Sequence, residues 1–291
     1  LTLALPTRFD LKRAVCSYGY YMLAPNRWDG DRCALEHVLR DERGEPISVR
    51  VTQRGRKLTI ACGRRLNELE QREVKQRVAR MLRLDEDFSA WHRLLPEARR
   101  AGFDRLFRSA TLFEDIVKTI TGCNVAWPNT VRMNALLCAQ HGDGAFPTPA
   151  QLARIRPDRL KRTCKVGYRA ERIVRLARDV DAGRLDLKWF EQPDRTTDQL
   201  HDALCAIHGI GDYAAANICS LRGRYDLRAI DSITYRHFRE VYGAATPDDP
   251  KKLHAKIIAH YDRYAPYQQL AYWYELWHRS SLSGGVFEAG R

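Results

Sequence analysis

"AIHGIGDYAAANICSLRGRYDLRAIDS", Ala206–Ser232, joins a glycine turn to a carboxylate that stands just before a new helical pattern. Upstream, Thr197 begins a helix that turns Leu200, Leu204 and Ile207 inward. His208-Gly209-Ile210-Gly211 breaks it, and an alanine-rich helix follows from Asp212, which can cap it, to Leu221. The stretch therefore reads as two helices joined by a tight turn, 197–221. Without a Cβ, Gly209 and Gly211 let the backbone approach a ligand closely. The N–H groups that open the second helix form a ready anion site. An ordinary helix corner fits the same pattern. Asp231 follows "RAI" and precedes "SITYRHF", where it can cap the next helix. A carboxylate held there stays ionised in the field of the helix dipole, which also suits it to face a sugar developing positive charge.

Composition narrows the partners. The 291 residues carry 49 Lys and Arg against 36 Asp and Glu, a net charge of +13 with pI near 9.5. Such a balance points to a polyanion. With 44% hydrophobic, 29% charged and 10% aromatic residues, the chain reads as globular, in one or two domains. No run approaches the roughly 18 apolar residues of a membrane span, so no membrane partner is expected. The eight cysteines form no C-x-x-C pair and no cluster with zinc or iron–sulfur spacing. Reduced, mostly buried thiols and no metal are the expectation, in a cytoplasm (or a nucleus, were the source eukaryotic).

The first ~65 residues differ from the rest. "YGYYMLA" (Tyr18–Ala24), "PISVRVTQRG" (Pro46–Gly55) and "KLTIACG" (Lys57–Gly63) are short β-type runs, with a hairpin expected at Arg54–Gly55. "NELEQREVKQRVARMLRL" then puts Val74, Val78, Met81 and Leu82 on one helical face, and helical patterns continue to the C-terminal tract. Ile173, Leu176, Ala177 and Val180 line the inner face of a helix stopped by Gly183, with Arg172, Arg175 and Arg178 on its solvent side. The expectation is an α+β chain, mostly α with a small N-terminal antiparallel sheet. Residues 1–88 form the β-containing unit and 89–291 a helical body, whose C-terminal helices return to wall a cleft.

The Ala206–Ser232 stretch resembles the helix-hairpin-helix, Gly/Pro-rich loop and aspartate signature of the DNA glycosylase superfamily that includes 3-methyladenine DNA glycosylase II and 8-oxoguanine DNA glycosylase. "LFEDIVKTITGCNVAWPNTVRM" is similar to the family helix and loop that displace the target base. "FPTPAQLARI", "VGYRAERIVRLAR" and "PYQQLAYWYELW" resemble the next family segments and the helix that walls the base pocket. Together these motifs cover about two-thirds of the chain in the family order.

The resemblance implies roles. Asp231 matches the catalytic aspartate. Gly209, Ile210 and Gly211 match the hairpin that grips a DNA phosphate without reading sequence. Asn124 matches the residue inserted where the nucleotide is flipped, although it could equally cap the following helix. Tyr168 and Arg169 match positions near the orphaned partner base; Arg169 contacts that base or a phosphate, or is a solvated helix-face arginine. Strand-cleaving members carry a lysine two residues past the second hairpin glycine. Tyr213 stands there, so no amine is placed for a Schiff base and a monofunctional enzyme is expected. Members that excise 8-oxoguanine place a glutamine and a phenylalanine on the C-terminal helix, where this chain aligns Tyr272 and Leu276, and a histidine where it has Ile233. An aromatic wall of Tyr272, Trp273 and Trp127, with Tyr213 and Asn217, suits an electron-poor alkylated purine. The same aromatics could simply fill core, and Asn217 could satisfy a neighbour instead of a base edge.

The function expected is base excision from damaged double-stranded DNA by a monomer. No cofactor is required, and a structural monovalent cation at the hairpin is carried over from relatives. Alternatives are a glycosylase for oxidised or deaminated bases, and a catalytically silent helix-hairpin-helix protein that binds DNA structure.

Overall fold

The computed structural model describes residues 1–243 and 246–282. Strands β1 (Thr2–Ala4), β2 (Arg27–Asp29), β3 (Ala34–Arg40), β4 (Pro46–Arg54) and β5 (Lys57–Cys62) form one antiparallel sheet in the order β1-β5-β4-β3-β2. The register sets Leu35 opposite Val51, and Val51 opposite Ile60, so period-2 alternation gathers one apolar face.

Two local expectations are corrected. Arg54 pairs with Lys57, so the hairpin turns at Gly55-Arg56, one residue later than expected. Gly55 takes φ +55°, as the first central residue of a two-residue hairpin turn requires. Tyr18–Ala24 is not a strand. Gly19–Met22 is a short 3-10 turn whose Leu23 N–H donates back to the Tyr20 carbonyl, and Tyr18, Tyr20 and Tyr21 are all buried. The strands unseen in the sequence are the short β1 and β2 and the longer β3, whose "ALEHVLR" mixes buried Leu35 and Leu39 with buried His37 and Arg40.

The helices that matter for the site are α1 (Glu68–Met81), α2 (Leu112–Gly122), α3 (Trp127–His141), α4 (Arg169–Asp181), α5 (Thr197–Cys205), α6 (Asp212–Leu221), α7 (Ser232–Tyr242), α8 (Pro250–Asp262) and α9 (Gln268–Leu282). Reciprocal caps start several of them: Asn67 with Glu70 on α1, and Thr196 with Gln199 on α5. Val74, Val78 and Met81 on α1 are buried as their spacing requires, each contributing about 1.5–3 kcal/mol.

Burial gathers these elements into two cores. One packs the sheet against α1, Phe88, Trp91, Phe103 and Ala110, and also against Phe238, Leu253, Ile257, Tyr261 and Tyr272 from α7, α8 and α9. The other is built by α2 through α6, from Leu112 to Cys219. The chain leaves the first core, builds the second, and returns. Fully buried Arg83 ties the two together at the end of α6, donating from Nη2 to the carbonyls of Ser220 and Leu221 and from Nε to that of Leu106. The segment carrying Asp231 begins where the chain returns.

Candidate active site

Asp231 is fixed from both sides. Two residues upstream, the N–H of Ala229 donates to Gln269 Oε1 (2.9 Å), and the Gln269 N–H donates to the Tyr225 carbonyl (2.8 Å). Downstream, Asp231 is the N-cap of α7, with extended backbone and a reciprocal box with Thr234. Its two carboxylate oxygens are not equivalent. Oδ1 accepts from the Thr234 N–H (2.9 Å) and from Thr234 Oγ1 (3.0 Å). Among the described residues, Oδ2 accepts only a long bond, 3.3 Å, from the Tyr213 hydroxyl. One oxygen anchors the side chain while the other is left weakly held. Capping and chemistry therefore need not compete for the same atom.

Tyr213, on the first turn of α6, reaches Asp231 across the connector. It is 37% exposed overall. Burial around the hydroxyl, with Tyr18 and Asp231 nearby, pushes its pKa well above the usual phenol value, so it remains a hydrogen-bond donor. Ile233, two residues past Asp231, is exposed. Tyr272 on α9 is 4% exposed; burial and the Asp231 charge raise its pKa as well.

The other residues expected to line a pocket meet around a hub that the sequence did not announce, Tyr18-Gly19-Tyr20. The Tyr18 hydroxyl donates to Asn217 Oδ1 (2.7 Å), Asn217 Nδ2 donates to Thr119 Oγ1 (3.2 Å), and Tyr20 shares a hydrogen with Thr119 (2.7 Å). The Asn217 amide thus serves a buried network. Trp273 meets Tyr18 edge-on with ring centroids 4.8 Å apart, and contacts Tyr272 at 5.6 Å. Trp127 opens α3 and lies over Gly19, where a Cβ would stand 3.0 Å from its ring.

At the turn between α5 and α6, Ile210 is buried and Gly211, not Asp212, is the N-cap. Asp212 is displaced to the first helical position because extended Gly211 makes the half-helical step. Gly211 offers no side chain to the first N–H groups of α6, so those donors carry no side-chain cap. Gly209 has φ +85°, and a Cβ there would come within 2.4 Å of Arg172. Arg172, expected on the solvent side, instead lies over Tyr168 (4.9 Å) and donates to the Gly209 carbonyl (3.4 Å). Within the turn the Ile207 carbonyl accepts from the Ile210 N–H.

Arg169 is not a solvated helix-face arginine. It is 6% exposed, and Nη2 donates to the carbonyls of Cys123 and, at 3.2 Å, Asn124. Its guanidinium stacks on Tyr168 at 4.6 Å, while Tyr168 itself is 51% exposed. Arg169 holds the loop; Asn124 is exposed at its tip with φ +51° and does not cap α3, whose N-cap is Ala126.

No protein-family model and no curated protein matches the chain. Solved structures do. A 3-methyladenine DNA glycosylase from Archaeoglobus fulgidus superposes with a TM-score of 0.76 at 17% identity, over 97% of this chain and 99% of that one. An 8-oxoguanine glycosylase/lyase from Clostridium acetobutylicum, in complex with double-stranded DNA, gives 0.60 at 19% identity over 91% and 93%. A DNA-3-methyladenine glycosidase from Bacillus halodurans gives 0.51 at 27% identity over 74% and 92%. The chain has the fold of the helix-hairpin-helix DNA glycosylases. With nearly the whole length covered in the first two comparisons, the N-terminal sheet belongs to that glycosylase fold rather than being an addition to it.

Within this fold, Asp231, Tyr213 and Tyr272 come together, with Asn217 and Trp273 linked to them through Tyr18 and with Trp127 alongside Gly19. Asn124, Tyr168 and Arg169 form a separate group, joined to the turn by Arg172. Tyr18, Thr119, Thr234 and Gln269 went unnoticed in the sequence. Only the glycine inside "YGYY" signalled the first, since a glycine between aromatics marks a close approach. A cavity of about 340 Å³ lies elsewhere, lined by β3 residues, Thr111, Glu114 and Phe146–Pro149, and contains none of these groups.

Proposed function

We propose that the protein is a DNA glycosylase that everts a damaged purine, preferentially an alkylated one, and hydrolyses its N-glycosidic bond to leave an abasic site. What carries this reading is the division of labour in Asp231, with Oδ1 fixed in the α7 cap and Oδ2 weakly held beside Tyr213, inside a glycosylase fold. As the bond from C1′ to the base breaks, its electron pair leaves with the base and the sugar becomes cationic. The carboxylate stabilises that cation and accepts a proton from the attacking water, whose oxygen bonds to C1′. Proton transfer and charge stabilisation suffice, so no cofactor is invoked.

In this reading α5, the 206–211 turn and α6 are a helix-hairpin-helix, whose uncapped N–H groups take a phosphate of double-stranded DNA. Asn124 enters the gap left by the flipped nucleotide, and Arg169 acts by holding the Asn124 loop. Tyr213 carries a phenol and no amine, so it cannot form a Schiff base, hence a monofunctional enzyme. Tyr272 and Trp273 offer π-faces to an electron-poor base. The protein acts as a monomer where genomic DNA lies.

A second reading, an oxidised base such as 8-oxoguanine, is favoured by the likeness to the Clostridium enzyme and opposed by Tyr272 and Leu276 at the aligned pocket positions. A panel of duplexes, each with one lesion and developed with hot alkali, separates them. Alkylpurine duplexes are expected to break only after alkali, with no borohydride adduct. Cleavage of the 8-oxoguanine duplex alone would select the second reading. Cleavage of none would leave a DNA-binding protein without catalysis.

A further inference from the structure

His201 and Cys205 stand one helical turn apart on α5, and Asp212 opens α6 on the far side of the turn. His201 Nε2, Cys205 Sγ and Asp212 Oδ1 form a triangle whose three edges are each 3.8 Å. The centre of an equilateral triangle lies one edge divided by √3 from each corner. An ion there would be about 2.2 Å from all three atoms, and a slight rise out of the plane brings it to the ~2.3 Å of a zinc–thiolate bond. The second ring nitrogen, His201 Nδ1, lies 3.6 Å from Asp202 Oδ1 and 4.0 Å from Cys205 Sγ, so a rotation of the ring on binding would bring the Asp202 carboxylate behind the histidine. The Asp212 side chain is solvent-exposed, so a water has access to the fourth position.

We propose that His201, Cys205 and Asp212 bind a tetrahedral, thiolate-accepting divalent cation of the zinc type. The nitrogen, sulfur and oxygen donor set favours such an ion over magnesium or calcium, which take oxygen ligands. On binding, the Cys205 S–H bond breaks, its electron pair forms the bond from sulfur to metal, and the proton passes to solvent; nothing is oxidised or reduced. The ion cross-links α5 to α6 across the 206–211 turn and neutralises the exposed Asp212 carboxylate. The site stands independently of glycosylase activity, and its test involves no DNA.

The test uses the full chain, stripped with chelator and titrated with Co²⁺ and then Zn²⁺. Co²⁺ is expected to give a near-ultraviolet thiolate-to-metal band and strong visible bands of a tetrahedral site, both bleached by one equivalent of Zn²⁺. Cys205→Ser abolishes the near-ultraviolet band although seven other cysteines remain. His201→Gln weakens Co²⁺ affinity at least tenfold while keeping Cys205, so a folding defect in one variant does not decide the matter. Zn²⁺ raises the melting temperature of the parent chain by about 5 °C and leaves that of Cys205→Ser unchanged. Absence of a thiolate band in the parent, or a band of equal strength in Cys205→Ser, overturns the assignment.

Discussion

Glu275 on α9 offers a test of how the wall beside Asp231 is held. Its Oε1 accepts from the Tyr242 hydroxyl of α7 and its Oε2 from the Tyr261 hydroxyl of α8, with His237 Nε2 of α7 3.5 Å from Oε2. Three helices thus converge on one carboxylate. Burial opposes its ionisation, yet the nearby His237 ring and the bonds from Tyr242 and Tyr261 prevail and hold its pKa at about 2 instead of 4.5. At 1.36 kcal/mol for each tenfold change, that preference for the charged form amounts to about 3 kcal/mol. The folded value lies below the unfolded one, so this stability is fully present above pH ~4.5 and is lost as pH falls towards 2. Glu275→Gln should lower the melting temperature at pH 7 by about 6 °C. The gap between the two proteins should hold constant from pH 7 to 5 and narrow by about 1 kcal/mol between pH 4.5 and 3.5. Thermal and urea unfolding followed by circular dichroism read both quantities. Equal stability at pH 7, or a gap that ignores pH down to 3.5, would refute the role assigned to Glu275.

Three further changes probe the neighbouring parts. Arg169→Met removes two charge-assisted bonds to the Cys123 and Asn124 carbonyls and should cost about 2–4 kcal/mol, with base release slowed about tenfold through the loosened loop. Unchanged unfolding by urea would contradict that buried clamp. Gly209→Ala must accommodate both φ +85° and a Cβ 2.4 Å from Arg172; a loss of about 1–3 kcal/mol and weaker duplex binding are expected, read by melting and by fluorescence anisotropy. Tyr213→Lys sets an amine beside Asp231, and borohydride should then trap a covalent adduct with lesion DNA that the parent chain does not form.

Features written in local spacing were readable in the sequence. The α1 face of Val74, Val78 and Met81, the paired helices around Gly209, and the position of Asp231 before α7 all follow from short-range patterns. What the sequence concealed was made by contacts between distant segments. Tyr18 lies 199 residues from its partner Asn217, and no periodicity announces that bond. The burial of Arg169 is not written in α4, because the loop carbonyls that hold it lie 45 positions upstream. Gln269 fixes the Asp231 connector from 40 residues away. No C-x-x-C pair marks His201, Cys205 and Asp212, whose histidine stands four residues before a single thiol and whose aspartate lies across a turn.

Single-turnover release of a damaged base by Asp231→Asn separates the two uses of that side chain. Asparagine caps a helix as well as aspartate does, so melting temperature and duplex affinity should match the parent. The missing negative charge should nevertheless slow base release by about 10²–10⁴-fold. Release at the parent rate, from a variant equally folded and equally bound, would mean that Asp231 only caps α7 and that the chemistry lies elsewhere.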